Sequence, residues 1–288
     1  MKIYQQRTLH VDGLSEILVT TSSLDIEMVQ TEDQMLTAEL TGEGSDELAG
    51  RVELDVHAEG DAAVIHVRTE GRFFVFGITG SIWNKWLKAV IHVPARIYEK
   101  VGVAGQSGDI SIRQIIAGKL SLSSKSGDIA VEDCEAKRDL TADSTSGDIR
   151  ITGVLAKEKV SAHASSGDVV LRSIASDFLE VGTHSGDVTV SDFRGRLAAG
   201  ASSGDIDLKN DQLTGDLTAR ASSGDITMAF SQEPESFAIN YQGSSGEGKV
   251  RIKGLLYEEK SEHRMIGQKG DGHYRIDVRT SSGDFVLE

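Results

Sequence analysis

The sequence predicts an all-β chain folded as a single-chain β-solenoid (β-helix-like), with two-strand coils of about 20 residues between N- and C-terminal β caps. Three observations carry that reading. The triplet Ser-Gly-Asp recurs with its glycines at Gly108, Gly127, Gly147, Gly167, Gly186, Gly204 and Gly224, separated by 19, 20, 20, 19, 18 and 20 residues. Apolar residues hold fixed offsets from each glycine. Seven before it stand Val101, Leu120, Leu140, Val160, Leu179, Leu197 and Leu217, and two after it Ile110, Ile129, Ile149, Val169, Val188, Ile206 and Ile226. Further apolar positions lie two residues from these, with Ser, Thr, Asp, Lys and Arg between them, the alternation of a strand with one face in a core.

Each unit thus reads as strand, Ser-Gly-Asp turn, strand and second turn. A two-strand unit cannot bury its apolar face alone, whereas stacked units share a continuous core. An antiparallel meander is the competing arrangement. The solenoid is preferred because the same residue types hold the same offsets in every unit. At the triplet, glycine is expected to supply a positive-φ turn position, with Ser and Asp side chains bonding nearby backbone N–H groups. Six residues after each triplet aspartate come Ile115, Cys134, Val154, Ile174 and Phe193. Cys134 therefore reads as a small core residue rather than a reactive thiol.

Residues 1–100 are expected to form an N-terminal β capping region, 101–243 the regular solenoid, and 244–288 a C-terminal coil and cap with an insertion. In the first, Ser22-Ser23-Leu24-Asp25-Ile26 looks like an eroded triplet. Arg51–His57 and Val64–Arg68 alternate as strands around a Gly60-Asp61 turn, and Lys88–Val93 leads through Pro94 into the first regular coil. In the last, a degenerate triplet, Ser245-Gly246-Glu247, precedes an excursion over Gly254–Gly272, after which Ile276, Val278 and an eighth triplet at Gly283 resume the pattern. Atypical end units are what a solenoid needs to hide its open edges. The segment 72–87 stands apart, with Phe73, Phe74, Phe76, Trp83 and Trp86 falling within 14 residues of a chain only 5% aromatic. It reads either as a capping hairpin or short helix, or as an exposed surface contacting a partner, glycan or lipid headgroups, where Lys85 and Lys88 would suit an anionic membrane.

Composition narrows the function. With 30 Lys+Arg against 45 Asp+Glu the net charge is −15, which speaks against a nucleic-acid partner. No apolar run is long enough for a transmembrane helix, and one cysteine cannot make an internal disulfide. The first residues lack the apolar run of a secretory leader, so a cytoplasmic chain is expected, with envelope association open. No cofactor is expected. The repeat aspartates Asp109, Asp128, Asp148, Asp168, Asp187, Asp205 and Asp225 are weak candidates for binding Ca²⁺ or another hard cation, turn chemistry being the preferred explanation of them. Gly200-Ala201-Ser202-Ser203-Gly204 matches a nucleophile-elbow pattern literally, yet it is one copy of the repeat turn. No catalytic residue is assigned. The eight histidines show no metal-binding spacing and are expected to face solvent. Arg113, Arg150 and Arg172 are expected just outside the strands. With the aspartates they form the main enzymatic alternative, a polysaccharide-degrading β-helix.

The recurrent triplet units, led in by Val90-Ile91-His92-Val93-Pro94 and closed by Gly270–Asp284, resemble the bacterial putative-adhesin family, domain of unknown function 4097, over roughly residues 20–288. The resemblance implies a β-solenoid-like fold without established catalysis, associated with the bacterial envelope and its stress response. It supplies no catalytic residues. The expected function is a non-enzymatic binding or scaffold protein whose partner is an envelope component or another protein, the oligomeric state being open. An intracellular regulatory scaffold is the further alternative.

Overall fold

The structure, a computed structural model, describes residues 2–44, 46–69 and 87–288. Two parallel ladders form its body. In the first, Leu120 lies between Val101 and Leu140, and the same register runs on through Val160, Leu179, Leu197 and Leu217. In the second, Ile129 lies between Ile110 and Ile149, and the register continues through Val169, Val188, Ile206 and Ile226. Matching positions of successive repeats therefore stack on one another, which makes the chain a solenoid and not a meander. All of these residues are buried between the two ladders. Each large aliphatic side chain removed from water contributes ~1.5–3 kcal/mol against the entropy of ordering the coil.

The glycine of the triplet has a different role from the one expected. None of the triplet glycines has a positive φ. What excludes a side chain is the coil beneath. A Cβ on Gly127 would lie 2.1 Å from the carbonyl oxygen of Gly108, one on Gly186 2.3 Å from that of Gly167, and one on Gly204 1.8 Å from that of Gly186. Ordinary carbon–oxygen contacts are ~3.3 Å or more. The turns stack backbone on backbone. The hydroxyl that caps the turn also differs from the triplet serine: it comes from three residues before the glycine. Ser124, Ser144, Thr183 and Thr280 accept the N–H of Gly127, Gly147, Gly186 and Gly283 at 2.9, 2.9, 3.1 and 3.0 Å.

The opposite corner holds the left-handed residues. Gln114, Asp133, Ser173 and Asp192 have φ of 58°, 51°, 56° and 52°, and Gly153 fills the same place at 66°. Each stands immediately before Ile115, Cys134, Ile174, Phe193 or Val154, all buried, so the reversal of φ turns that side chain inward. A non-glycine residue in this conformation costs roughly 1–2 kcal/mol. The ladder offsets the cost: the N–H of Gln114 donates to Glu132 and that of Asp133 to Thr152, both at 3.0 Å. Where the column ends, the Asn210 amide takes the place of the next coil, accepting the Phe193 N–H at 3.0 Å and donating to its carbonyl at 2.8 Å.

At both ends the order in space departs from the order in sequence. Strands Glu16–Thr21 and Asp25–Thr31 make a complete coil. It lies between the coil of Tyr98–Gly105 with Ile110–Arg113 and the strands Ala62–Thr69 and Lys88–Pro94. Antiparallel pairs extend this end: Lys2–His10 with Met35–Glu43, Met35–Glu43 with Lys88–Pro94, and Val52–Glu59 with Ala62–Thr69. Among the described residues the one helix is a single turn, Asp46–Ala49. At the other end, Tyr274–Thr280 and Phe285–Leu287 insert between Leu217–Ala221 with Ile226–Phe230 and Phe237–Gly243 with Gly248–Val250. The excursion is a hairpin, Leu256–Lys260 with Arg264–Lys269, and its second strand pairs antiparallel with Phe237–Gly243.

Because the triplet glycine is fixed by contact, Gly167→Ala, which sets a Cβ against the carbonyl of Gly147, is expected to lower stability by at least ~2 kcal/mol. Ser166→Ala beside it should stay within ~0.5 kcal/mol. Urea denaturation of the two variants measures the difference, and equal midpoints would refute the contact explanation.

Candidate functional site

The seven repeat aspartates form one column on the outside of the turns. The Oδ1 atom of each accepts the backbone N–H of the next aspartate in the stack: Asp109 from Asp128, Asp128 from Asp148, Asp148 from Asp168, Asp168 from Asp187, Asp187 from Asp205 and Asp205 from Asp225, all at 2.8–3.0 Å. The column begins at Asp25, which accepts from Asp109, and continues from Asp225 to Asp284 and then Glu247. In the other direction, the N–H after each aspartate donates to the aspartate carbonyl of the next coil, as Ile129 does to Asp148 at 2.8 Å. One oxygen of each carboxylate is thus committed to holding the stack. Among the described residues no three His, Cys, Asp or Glu side chains gather as a metal-ligand group.

This pattern is directional. Each glycine faces the carbonyl of the preceding coil, and each aspartate faces the N–H of the following one. The first coil needs no glycine and has Leu24, whose carbonyl meets Gly108. The last needs no aspartate and has Glu247, which pairs with Lys249 at 2.9 Å. The eroded and degenerate triplets are the two ends of the stack.

The other candidates separate. Phe73, Phe74, Phe76, Trp83 and Trp86 lie outside the described residues. Arg113, Arg150 and Arg172 lie within strands rather than just outside them. Arg113 is paired with Glu27, and Arg150 with Asp148 at 2.8 Å. Ser202 and Ser203 occupy a repeat turn, with the Ser203 N–H on the His184 carbonyl at 3.1 Å, and no helix follows as an elbow would need. Glycosidase chemistry requires one carboxyl group held above its usual range. Among the described residues the displaced carboxylates all move down: Glu27 and Glu180 through hydrogen bonds from Lys88 and Lys159, Glu233 through Lys269, and Asp271 through the Ser236 hydroxyl.

A groove that was not anticipated runs along the corner opposite the triplets. It encloses about 810 Å³ and crosses five successive coils. Its floor is a column of small residues, Ala136, Ala156, Ser176, Gly195 and Gly215. Two of them are glycine for the same reason as in the triplets: a Cβ on Gly195 would lie 1.8 Å from the Ser176 carbonyl oxygen, and one on Gly215 2.6 Å from that of Gly195. Lys137, Lys157, Arg194 and Arg196 line it, and Tyr274, with His273 edge-on at 4.4 Å between ring centres, closes one end. Leu155, 51% exposed, stands on its rim. The column of small residues recurs once per repeat, and that period was the available signal; the charged residues beside it do not share one sign, Asp177 and Asp216 standing where other coils have Lys or Arg.

One family model, described as Toastrack (DUF4097), matches residues 14–288, nearly the whole chain. The chain belongs to the Toastrack family. No curated protein matches it. Among solved structures, the Toastrack chain is similar to a putative adhesin from Bacteroides fragilis at 12% identity, covering 99% of this chain and 97% of that one with a TM-score of 0.47. A putative adhesin from Parabacteroides distasonis is 12% identical over 99% and 97%, TM-score 0.45. A putative lipid binding protein from the same organism is 14% identical over 99% and 97%, TM-score 0.43. No helix among the described residues is long and apolar enough to cross a membrane.

Cys134 packs as a ladder residue of this Toastrack fold, buried, with its sulfur accepting the Ile115 N–H at 3.4 Å. Burial pushes its thiol up to about 11, against a partial pull downward from backbone N–H groups. In the unfolded chain the thiol ionises nearer 9, so the unfolded state alone loses the proton between these values and stability falls as pH rises from 9 to 11. Cys134→Val is expected to remove that part of the fall. Urea midpoints of both proteins at pH 8 and pH 10.5 measure it, and parallel losses would show that the thiol contributes nothing.

Proposed function

We propose that this Toastrack protein is a non-catalytic binding and scaffold module of the bacterial cell envelope or of its stress response. The observation that carries the reading is the regularity of the solvent-facing columns. An enzyme site breaks a repeat locally to bring an acid and a base together, whereas here one turn chemistry repeats from Asp25 to Asp284. A stack locked at every turn is rigid, and a rigid surface loses little entropy when a long partner lies along it. Phe73, Phe74, Phe76, Trp83 and Trp86 are the proposed contact with the envelope, since aromatic residues beside lysines suit a boundary that is apolar on one side and anionic on the other.

Co-sedimentation of the purified chain with isolated peptidoglycan and with phosphatidylglycerol vesicles, with and without Ca²⁺, tests the proposal. Binding is expected to at least one of these materials and is expected to fall at least fivefold in the Trp83→Ala/Trp86→Ala variant. Sedimentation with neither would overturn direct envelope contact. A requirement for Ca²⁺ abolished by Asp148→Asn/Asp168→Asn would assign the aspartate column a cation.

A further inference from the structure

We infer that the corner groove is a binding site for a linear acidic glycan. The inference rests on the reading of the protein as a binding module but not on its location in the cell. Five coils at ~4.8 Å per coil make a trough on the order of 20 Å long, and its floor of Ala, Ser and Gly lets a chain lie close to the backbone. The charge lining it is unlike the rest of the molecule. On a chain of net charge −15, four cations and three carboxylates (Glu135, Asp177 and Asp216) line this trough, a net charge of +1. Lys137 is paired with Glu135 at 2.6 Å, and Arg196 lies over the Phe178 ring at 5.6 Å. Lys157 and Arg194 are exposed, and neither has an ion pair among the described residues. Unneutralised cations in a recess attract discrete anionic groups, and Arg adds planar, two-pronged recognition of a carboxylate.

The acids between them choose the kind of anion. Asp177 and Asp216 alternate with the cations along the trough, and Asp216 uses one oxygen to accept the Arg275 N–H at 2.9 Å, leaving the other for a ligand. A site of interleaved cations and carboxylates is satisfied by a polymer that carries carboxylates and hydroxyl donors together, which is the surface of a uronic-acid chain. Tyr274 at the closed end offers a ring face to the C–H side of a sugar. An acidic peptide brings carboxylates but few hydroxyls for Asp177 and Asp216. A flat anionic bilayer would press its headgroups against those same acids, and a nucleic acid needs contiguous basic residues.

Titration calorimetry with defined oligogalacturonates tests the site, beside the methyl-esterified oligosaccharide, poly-glutamate and phosphatidylglycerol vesicles. The intact chain is expected to bind the acid form, at least tenfold more weakly after esterification, and more weakly again as salt is raised. Lys157→Glu/Arg194→Glu should lose at least tenfold in affinity, while Lys125→Glu/Arg172→Glu, with the same change of charge away from the groove, should bind as the parent does. If the reversed pair does not fold, Lys157→Gln/Arg194→Gln serves, with an expected loss of at least fivefold. Equal affinity of parent and groove variant, no binding to the acidic oligosaccharide, or equal or tighter binding of poly-glutamate or vesicles would each overturn the assignment. Free oligosaccharides report on the groove whether or not the protein sediments with envelope material, so the two proposals fail separately.

Discussion

Everything in this molecule is referred to one close approach, that of a glycine α-carbon to the carbonyl oxygen of the glycine one coil below. With a Cβ excluded at about 2 Å, the turns can sit at the strand spacing only if the position is bare in every internal coil. Once they do, two hydrogen bonds of opposite sense fall into place beside it: a carboxylate reaching forward to an N–H and a carbonyl receiving one from the coil behind. The result is a register that cannot slip by one residue, because a slip would place Ser or Asp where no side chain fits. The exposed carboxylates repel one another by about 0.8 kcal/mol per neighbour in water at ~5 Å. Each is offset by a charge-assisted bond to backbone, worth ~1.5–3 kcal/mol before exposure to solvent reduces it.

The far corner obeys the same rule with different residues. There the chain has to reverse φ to send Ile115, Cys134, Val154, Ile174 and Phe193 inward, and only one of the five reversed positions is glycine. The next residues but one are small, and at Gly195 a Cβ would meet the carbonyl of the coil below. A column of small residues between two columns of long ones is a trough. The groove is therefore a by-product of how the coil closes, and the side chains along its walls are free to differ without disturbing the stack. That freedom suits a surface whose ligand changes while its frame does not.

The strands, their inward faces and the parallel stacking were legible in the sequence, since Leu120, Leu140, Val160 and their counterparts repeat by identity and offset. The reason for glycine was not. Tight turns and close approaches select the same residue, and only the absence of a positive φ separates them. The order of the last coils was hidden for a related reason: Gly246 follows Gly224 by 22 residues, near the repeat spacing, whereas Gly283, which does stack on Gly224, follows it by 59. The clue lay in Glu247, a degenerate residue tolerated because no further N–H waits for its carboxylate. The groove escaped notice because its cations are scattered in sequence, 157 and 194 being meaningful only after the coils between them are stacked.

The inserted coil has a consequence for biosynthesis. Phe237–Gly243 is made before Tyr274–Thr280, yet it packs on it, and Glu247 is tied to Asp284 across 37 residues. A ribosome adding ~5–20 residues per second leaves roughly 3–12 seconds in which the strands Leu217–Ala221 and Ile226–Phe230 present an open edge, since their partners lie 59 residues on. During that interval the nearest available strand of the right pattern is Phe237–Gly243 itself, which matches the vacant register. In the completed fold Tyr274–Thr280, and not Phe237–Gly243, holds that place. An edge left open in this way can pair with the same edge of a second nascent chain.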